Sequence, residues 1–119
     1  MDSSPQPAAA GKRERTRQLN DSLRKTLDDS LGKVVFTPGV AALESDVVMM
    51  VLSAIAAFDA FGPENDPHGE HDFGSFDLAG YTLFWKIDYY APDLEGGSED
   101  PSDPQQTTRV LTIMLAEEY

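Results

Sequence analysis

The sequence predicts an α+β domain: an antiparallel sheet of about four strands, ordered β-α-β-β-β after an N-terminal helix, packed on one apolar helix. Three observations predict it. Leu19, Leu23, Leu27 and Leu31 recur every fourth residue, as on one stripe of a helix. Residues 45–61 are apolar on nearly every side and end at Gly62-Pro63. Residues 73–90 and 107–115 alternate apolar and polar side chains with β-branched and aromatic enrichment, as strands do. A chain of 119 residues, 40% hydrophobic, fits one domain with a modest core.

Residues 1–11 are Ser, Pro, Gln, Ala and Gly for the most part and read as a disordered tail, so the domain spans 12–119. The first helix is expected from Lys12 to Leu27. Asp28-Asp29-Ser30 and Gly32 close it, and their carboxylates oppose the helix dipole, so this end should fray. Lys33 to Thr37 is a short strand ended by Pro38-Gly39. Val40 to Leu43 makes a helical turn, with Thr37 as cap and Pro38 at its first position. Ser45 caps the apolar helix, with Asp46 in its first turn. Being apolar all round, that helix should be buried on more than one side.

Phe73 to Leu78 and Tyr81 to Tyr90 form a hairpin about Ala79-Gly80. A two-residue turn pairs Leu78 with Tyr81 and Phe76 with Leu83. The core face then carries Phe76, Leu78, Tyr81, Leu83, Trp85, Ile87 and Tyr89, and the other face is mixed. Residues 91–106 form a long acidic loop expected to be mobile. Thr107 to Leu115 is a last strand, with helix as the competing reading for 111–119. A terminal strand at a sheet edge, or the mixed aromatic face, could pair with a second copy. The oligomeric state stays open.

The net charge of −12 is unevenly spread. Residues 1–25 hold six Lys/Arg against three Asp/Glu, while residues 26–119 hold three against eighteen. The body therefore repels phosphates, and direct nucleic-acid binding is not expected. The run KRERTR reads as a solvated first turn. There is no cysteine, which excludes disulfides and thiolate metal sites. The N-terminus has no apolar signal segment and no stretch is long enough to span a bilayer, so a cytoplasmic protein without membrane association is expected.

FDAF, NDPHGEHDFG, FWKIDYY and DPQQTTRVLTIMLAEEY, in this order, resemble the domain-of-unknown-function family 3768, over roughly Arg17 to Tyr119. The resemblance implies a small bacterial protein, mainly alphaproteobacterial and often carried on mobile elements. It brings no activity, cofactor or catalytic residue. A looser likeness is topological: strand, helix and antiparallel meander are the layout of ribosome-dependent mRNA interferase toxins, and GYTLFWKIDYY is similar to their central hairpin. That likeness implies a toxin-like ribonuclease fold. Lys33, Lys86 and Arg109 against eighteen carboxylates argue against an RNA-gripping surface.

The chemistry-bearing stretch is ENDPHGEHDFG, residues 64–74. Asp66, His68, Glu70, His71 and Asp72 are candidate ligands for a divalent metal, a nitrogen and oxygen set that suits Zn²⁺, Mn²⁺ or Fe²⁺. Extending the hairpin register places His71 opposite Asp88, a candidate carboxylate–imidazole pair for acid–base work. The ordinary alternative is a turn opener at Asn65-Asp66-Pro67 followed by a strand cap. No complete nucleophilic set and no phosphate-cradling glycine loop is present. The acids Asp93, Glu95, Glu99, Asp100 and Asp103 form a candidate surface for a basic protein partner.

These features fit a non-enzymatic, protein-binding accessory better than an enzyme, and no cofactor is required. With the resemblance, the expectation is an anti-defence or regulatory factor of mobile DNA. A metal-dependent hydrolase or metal-binding protein centred on His68 and His71 is the alternative.

Overall fold

A computed structural model describes residues 8–119 of the chain. Helix α1 runs Ala8–Thr26, four residues earlier than the expected Lys12. Consecutive alanines, the strongest helix formers, carry it through Gly11. The expected tail is therefore helical from Ala8 onward, and its first seven residues lie outside the described ones. The helix ends where Leu27 takes a left-handed backbone, φ 55°, while its N–H still bonds Leu23 O at 2.8 Å. Asp28, expected to loosen this end, instead builds the turn. Its Oδ1 accepts the Ser30 N–H at 2.9 Å, and that bond lowers its pKa below the ordinary carboxylate value.

Strand β1 (Lys33–Phe36) leads into a single helical turn, α2 (Pro38–Ala41). Thr37 occupies the cap position but its hydroxyl does not cap; it donates to Glu118 Oε1 at 2.6 Å. Helix α3 spans Ser45–Ala57, with Glu44 rather than Ser45 at the cap and Asp46 in the first turn. It stops four residues short of Phe61 because Phe58 takes extended backbone, φ −61° and ψ 129°. The break swings Phe58 and Phe61 onto Trp85, with edge-on ring centroids at 5.6 and 6.2 Å. Nor is α3 buried all round. Val51 and Ile55 are fully buried, whereas Met49 and Met50 stand 65% and 51% exposed. The molecule has only two layers, so one helix face meets solvent.

The hairpin forms as its turn dictates. β2 (Phe73–Leu78) and β3 (Tyr81–Tyr90) pair with Leu78 opposite Tyr81 and Phe76 opposite Leu83. Ala79 and Gly80 have φ of 54° and 87°, the doubly left-handed geometry that matches strand twist. Strand β4 (Thr108–Leu115) follows, and the helical alternative shrinks to one 3₁₀ turn, Ala116–Glu118. The sheet order is β1-β4-β3-β2. β2–β3 and β3–β4 are antiparallel, but β1 lies parallel to β4, so the expected antiparallel sheet is mixed. The long connection through α2, α3 and the hairpin allows β1 and β4 to run the same way. It also makes β4 internal, which removes the terminal strand as a free edge.

One sheet face packs on the helices. Leu23, Val40, Val51, Ile55, Leu83, Trp85, Ile87, Leu111 and Ile113 form the core, each large side chain contributing about 1.5–3 kcal/mol on burial. On the other face Phe84 meets Phe73 and Tyr119 edge-on at 5.5 and 5.4 Å, and Phe73 and Tyr119 lie tilted at 6.3 Å. Among the described residues, no helix is long and apolar enough to cross a membrane.

Candidate functional site

The loop between α3 and β2 is folded by its own polar side chains. Asn65 Oδ1 accepts the Gly62 N–H at 2.8 Å and its amide donates to Ala60 O. Buried Asp66 accepts the N–H groups of Glu70 and His71, both at 3.1 Å. These bonds hold His71 at φ 56° and turn the chain away from β3 before a ladder can form. Regular pairing therefore ends at Phe73 opposite Lys86, with one further bond from Ile87 N–H to Asp72 O.

The His71–Asp88 pair expected from the register consequently does not exist. Asp88 lies on the helix-free face of β3 and pairs with Lys86 at 3.1 Å. His71 turns to the opposite side. Its ring stacks on Phe61, centroids 3.8 Å apart and 4° from parallel, and Nδ1 lies 2.9 Å from Asp21 of α1. Nε2 faces Asp66 at 3.8 Å. Nδ1 is engaged by Asp21, whereas Nε2 makes no hydrogen bond among the described residues. A cleft of ≈ 540 Å³ is lined by His71 together with Asp21, Lys25, Asp59 and Phe61.

The other loop candidates disperse. His68 is exposed. Glu70 turns inward to accept the Tyr89 hydroxyl at 2.9 Å. Asp72 is half-buried, and burial, reinforced by the Glu70 charge, raises its pKa above the ordinary carboxylate value. Among the described residues no three His, Asp or Glu side chains converge where a cation would sit. The five-ligand metal set is thus replaced by an interface between loop and helix.

That interface has a polar centre the hydropathy pattern does not show. Thr16, Asn20 and Arg24, each four residues apart on α1, are at most 3% exposed. Asn20 connects three segments: Arg109 Nε donates to its Oδ1 at 2.8 Å, and its amide donates to Tyr89 Oη at 2.7 Å and to Glu70 O at 3.0 Å. Tyr89 passes its own proton donor on to Glu70. The result is a chain of donors from Arg109 through Asn20 and Tyr89 to Glu70. Burial pushes Tyr89 far above the ordinary phenol value and lowers Arg109 below the ordinary guanidinium value. Arg24 donates to Ile55 O at 2.8 Å, pairs with Asp21 at 2.9 Å and lies over the Phe61 and Trp85 rings. It thus reaches the carbonyls at the end of α3, Ala56 O at 3.3 Å and Ile55 O, which also accepts the Phe58 N–H. Arg109 was open to detection, because it shares the alternation of Leu111 and Ile113. Asn20 and Arg24 carry no such signal beyond their spacing.

The acidic loop, expected to be mobile, is built as a chain of side-chain-closed turns. Asp93 accepts the Glu95 N–H, Asp100 the Ser102 N–H, and Asp103 the Gln105 N–H, at 2.9–3.1 Å. Ser98, in the middle of the loop, lies 2.7 Å from the Thr107 hydroxyl just past its end. The basic run on α1 then fastens it: Lys12 lies 3.4 Å from Asp100, Arg15 donates to Ser102 O at 3.0 Å, and Arg109 donates to Pro101 O. The hydrogen bonds from Ser102 and Gln106 lower the pKa of Asp100 and Asp103 respectively. KRERTR is therefore not merely a solvated turn. Asp93, Glu95, Glu99 and Asp103 keep their carboxylates without an ion-pair partner among the described residues.

The family model described as "Protein of unknown function (DUF3768)" matches residues 36–118. The chain belongs to this family. The DUF3768 match takes in α2 and α3, the His71 loop, the hairpin, the acidic loop and β4, but starts at Phe36 rather than at the expected Arg17. Helix α1, which supplies Asn20, Asp21 and Arg24, lies outside it. No curated protein and no solved structure matches the chain.

Proposed function

We propose that this DUF3768 protein is a non-enzymatic binding protein whose acidic loop, residues 91–106, docks a basic protein surface. The observation that carries the reading is the folded state of that loop. Asp93, Glu95, Glu99 and Asp103 stand on a backbone already fixed by Asx turns and by Lys12, Arg15 and Arg109. A preformed array loses less entropy on binding than a flexible one, and its charge speeds encounter with a basic partner. The partner class that fits is a protein whose own basic surface binds phosphates, which suits an accessory or decoy in DNA transactions. Glu70 and His71 of the loop support the same reading, because they are engaged in holding α1 to the hairpin.

The test is a calorimetric titration of an octalysine peptide at two salt concentrations. Binding should weaken about tenfold or more between roughly 50 and 300 mM salt, as screening shortens the reach of the charges. Binding that is absent, or indifferent to salt, removes the proposal.

A further inference from the structure

Beyond the acidic loop, we infer that the outer edge of β1 accepts an extended basic segment of the partner as a fifth strand; this rests on the reading just proposed. β1 is one of the two edge strands of the sheet, with no further strand beside it among the described residues. Thr37 N–H bonds Ile113 O across the parallel pair at 3.1 Å. By alternation Val35 also faces β4, so the N–H and C=O groups of Val34 and Phe36 point outward. Natural edges are blunted by prolines, bulges or charges. The opposite edge follows that rule, carrying exposed Asp77 and a glycine at 74. β1 has no charge beyond Lys33 at its start, and Val35 and Phe36 are 43% and 37% exposed.

The surroundings select the occupant. A groove of ≈ 310 Å³ separates the acidic loop, at Pro92 and Pro104, from Ser30, Gly32 and Lys33. A second, of ≈ 600 Å³, runs from Leu27 and Asp29 along Val34 and Val35. The two share Asp29, Gly32 and Lys33, so one path leads from the acidic loop to the strand edge. Asp29 and Lys33 line both grooves and Arg109 the first, while the chain as a whole carries a net −12. That charge favours a basic segment and disfavours a second copy of this chain. An extended segment with lysines or arginines toward the acids, and backbone beside Val34 and Phe36, satisfies both halves of the path. Strand addition of this kind draws affinity from main-chain hydrogen bonds.

The experiment is amide NMR on the full chain with an eight-residue peptide of alternating lysine and valine, against the same peptide N-methylated at alternate residues. On adding the unmodified peptide, the Val34 and Phe36 amides should exchange about fivefold or more slowly, while residues 91–106 shift. The methylated peptide, and the V34P variant with the unmodified one, should bind about tenfold more weakly. The methylated peptide makes this test without altering the protein, should V34P fail to fold. Equal shifts from both peptides, confined to residues 91–106, overturn strand addition and leave the acidic-loop reading standing. No shift in either place overturns both. Protection of Val34 and Phe36 that rises with protein concentration alone, with a dimer in sedimentation, assigns the edge to a second copy and overturns the inference.

Discussion

Asn20 Oδ1 accepts the Arg109 Nε–H at 2.8 Å, joining the first helix to the last strand across 89 residues of sequence. The Asn20 amide simultaneously donates to Tyr89 and to the Glu70 carbonyl. A substitution here strands several buried partners at once. N20L should therefore lower stability by about 2–4 kcal/mol, because leaving buried polar groups unpaired costs more than the hydrogen bonds themselves contribute. Urea denaturation measures it. A loss below about 0.5 kcal/mol, the level of an ordinary surface change, would show that the network does not hold α1.

The Trp85 indole lies against the backbone of β2, and its Nε1 has no hydrogen-bond partner among the described residues. A Cβ added at Gly74 would stand 2.3 Å from that nitrogen, with the ring fully buried and unable to retreat. G74A is expected to destabilise by about 2 kcal/mol or more through overpacking. Trp85 is the single tryptophan, so its emission reports the change directly.

The Asp72 carboxyl has a raised pKa because burial, then Glu70, disfavours its charge. A raised folded-state value means that the unfolded chain ionises first as pH climbs. Its contribution is full below the unfolded value and lost as pH rises through the folded one. At pH 7 the group thus works against folding. D72N should stabilise the protein there by up to about 1 kcal/mol after allowance for solvent screening, and the gain should vanish near pH 3. Thermal melts of both proteins across pH check the sign; a gain that grows toward acid would contradict it.

His71 is a clamp between Asp21 and the loop, stacked on Phe61. H71A should cost about 1–2 kcal/mol, for one polar contact and one ring stack. Hydrogen exchange should speed at the Glu70 and His71 amides, which Asp66 holds. Unchanged exchange in that loop would mean that Asp66 alone orders it.

Patterns with short-range causes were legible in the sequence. The hairpin register followed from a two-residue turn, and the α+β class from helix and strand periodicities. The parallel placement of β1 was not, since a four-residue strand carries no mark of its neighbour. His71 was singled out from the loop, and its partner was sought on β3. Extending a register assumes regular pairing, and the left-handed backbone at His71 ends it. Asp21 was invisible as the true partner because it belongs to a helix 50 residues away. The turns of the acidic loop were not legible for a related reason: its prolines, glycines and carboxylates read only as a long mobile loop, and which aspartates close its turns and meet the basic helix depends on the fold.

The acidic loop is the centre of the functional account, and net charge alone could mimic its effect. The most direct measurement compares two variants of equal charge in octalysine titrations at low salt. One neutralises Asp93, Glu95, Glu99 and Asp103; the other neutralises Glu44, Asp59, Glu64 and Glu117, all four of them exposed. The account predicts about tenfold or greater weakening in the first and a change of under about threefold in the second, because screening confines exposed charges to short range. Equal weakening in both would contradict it.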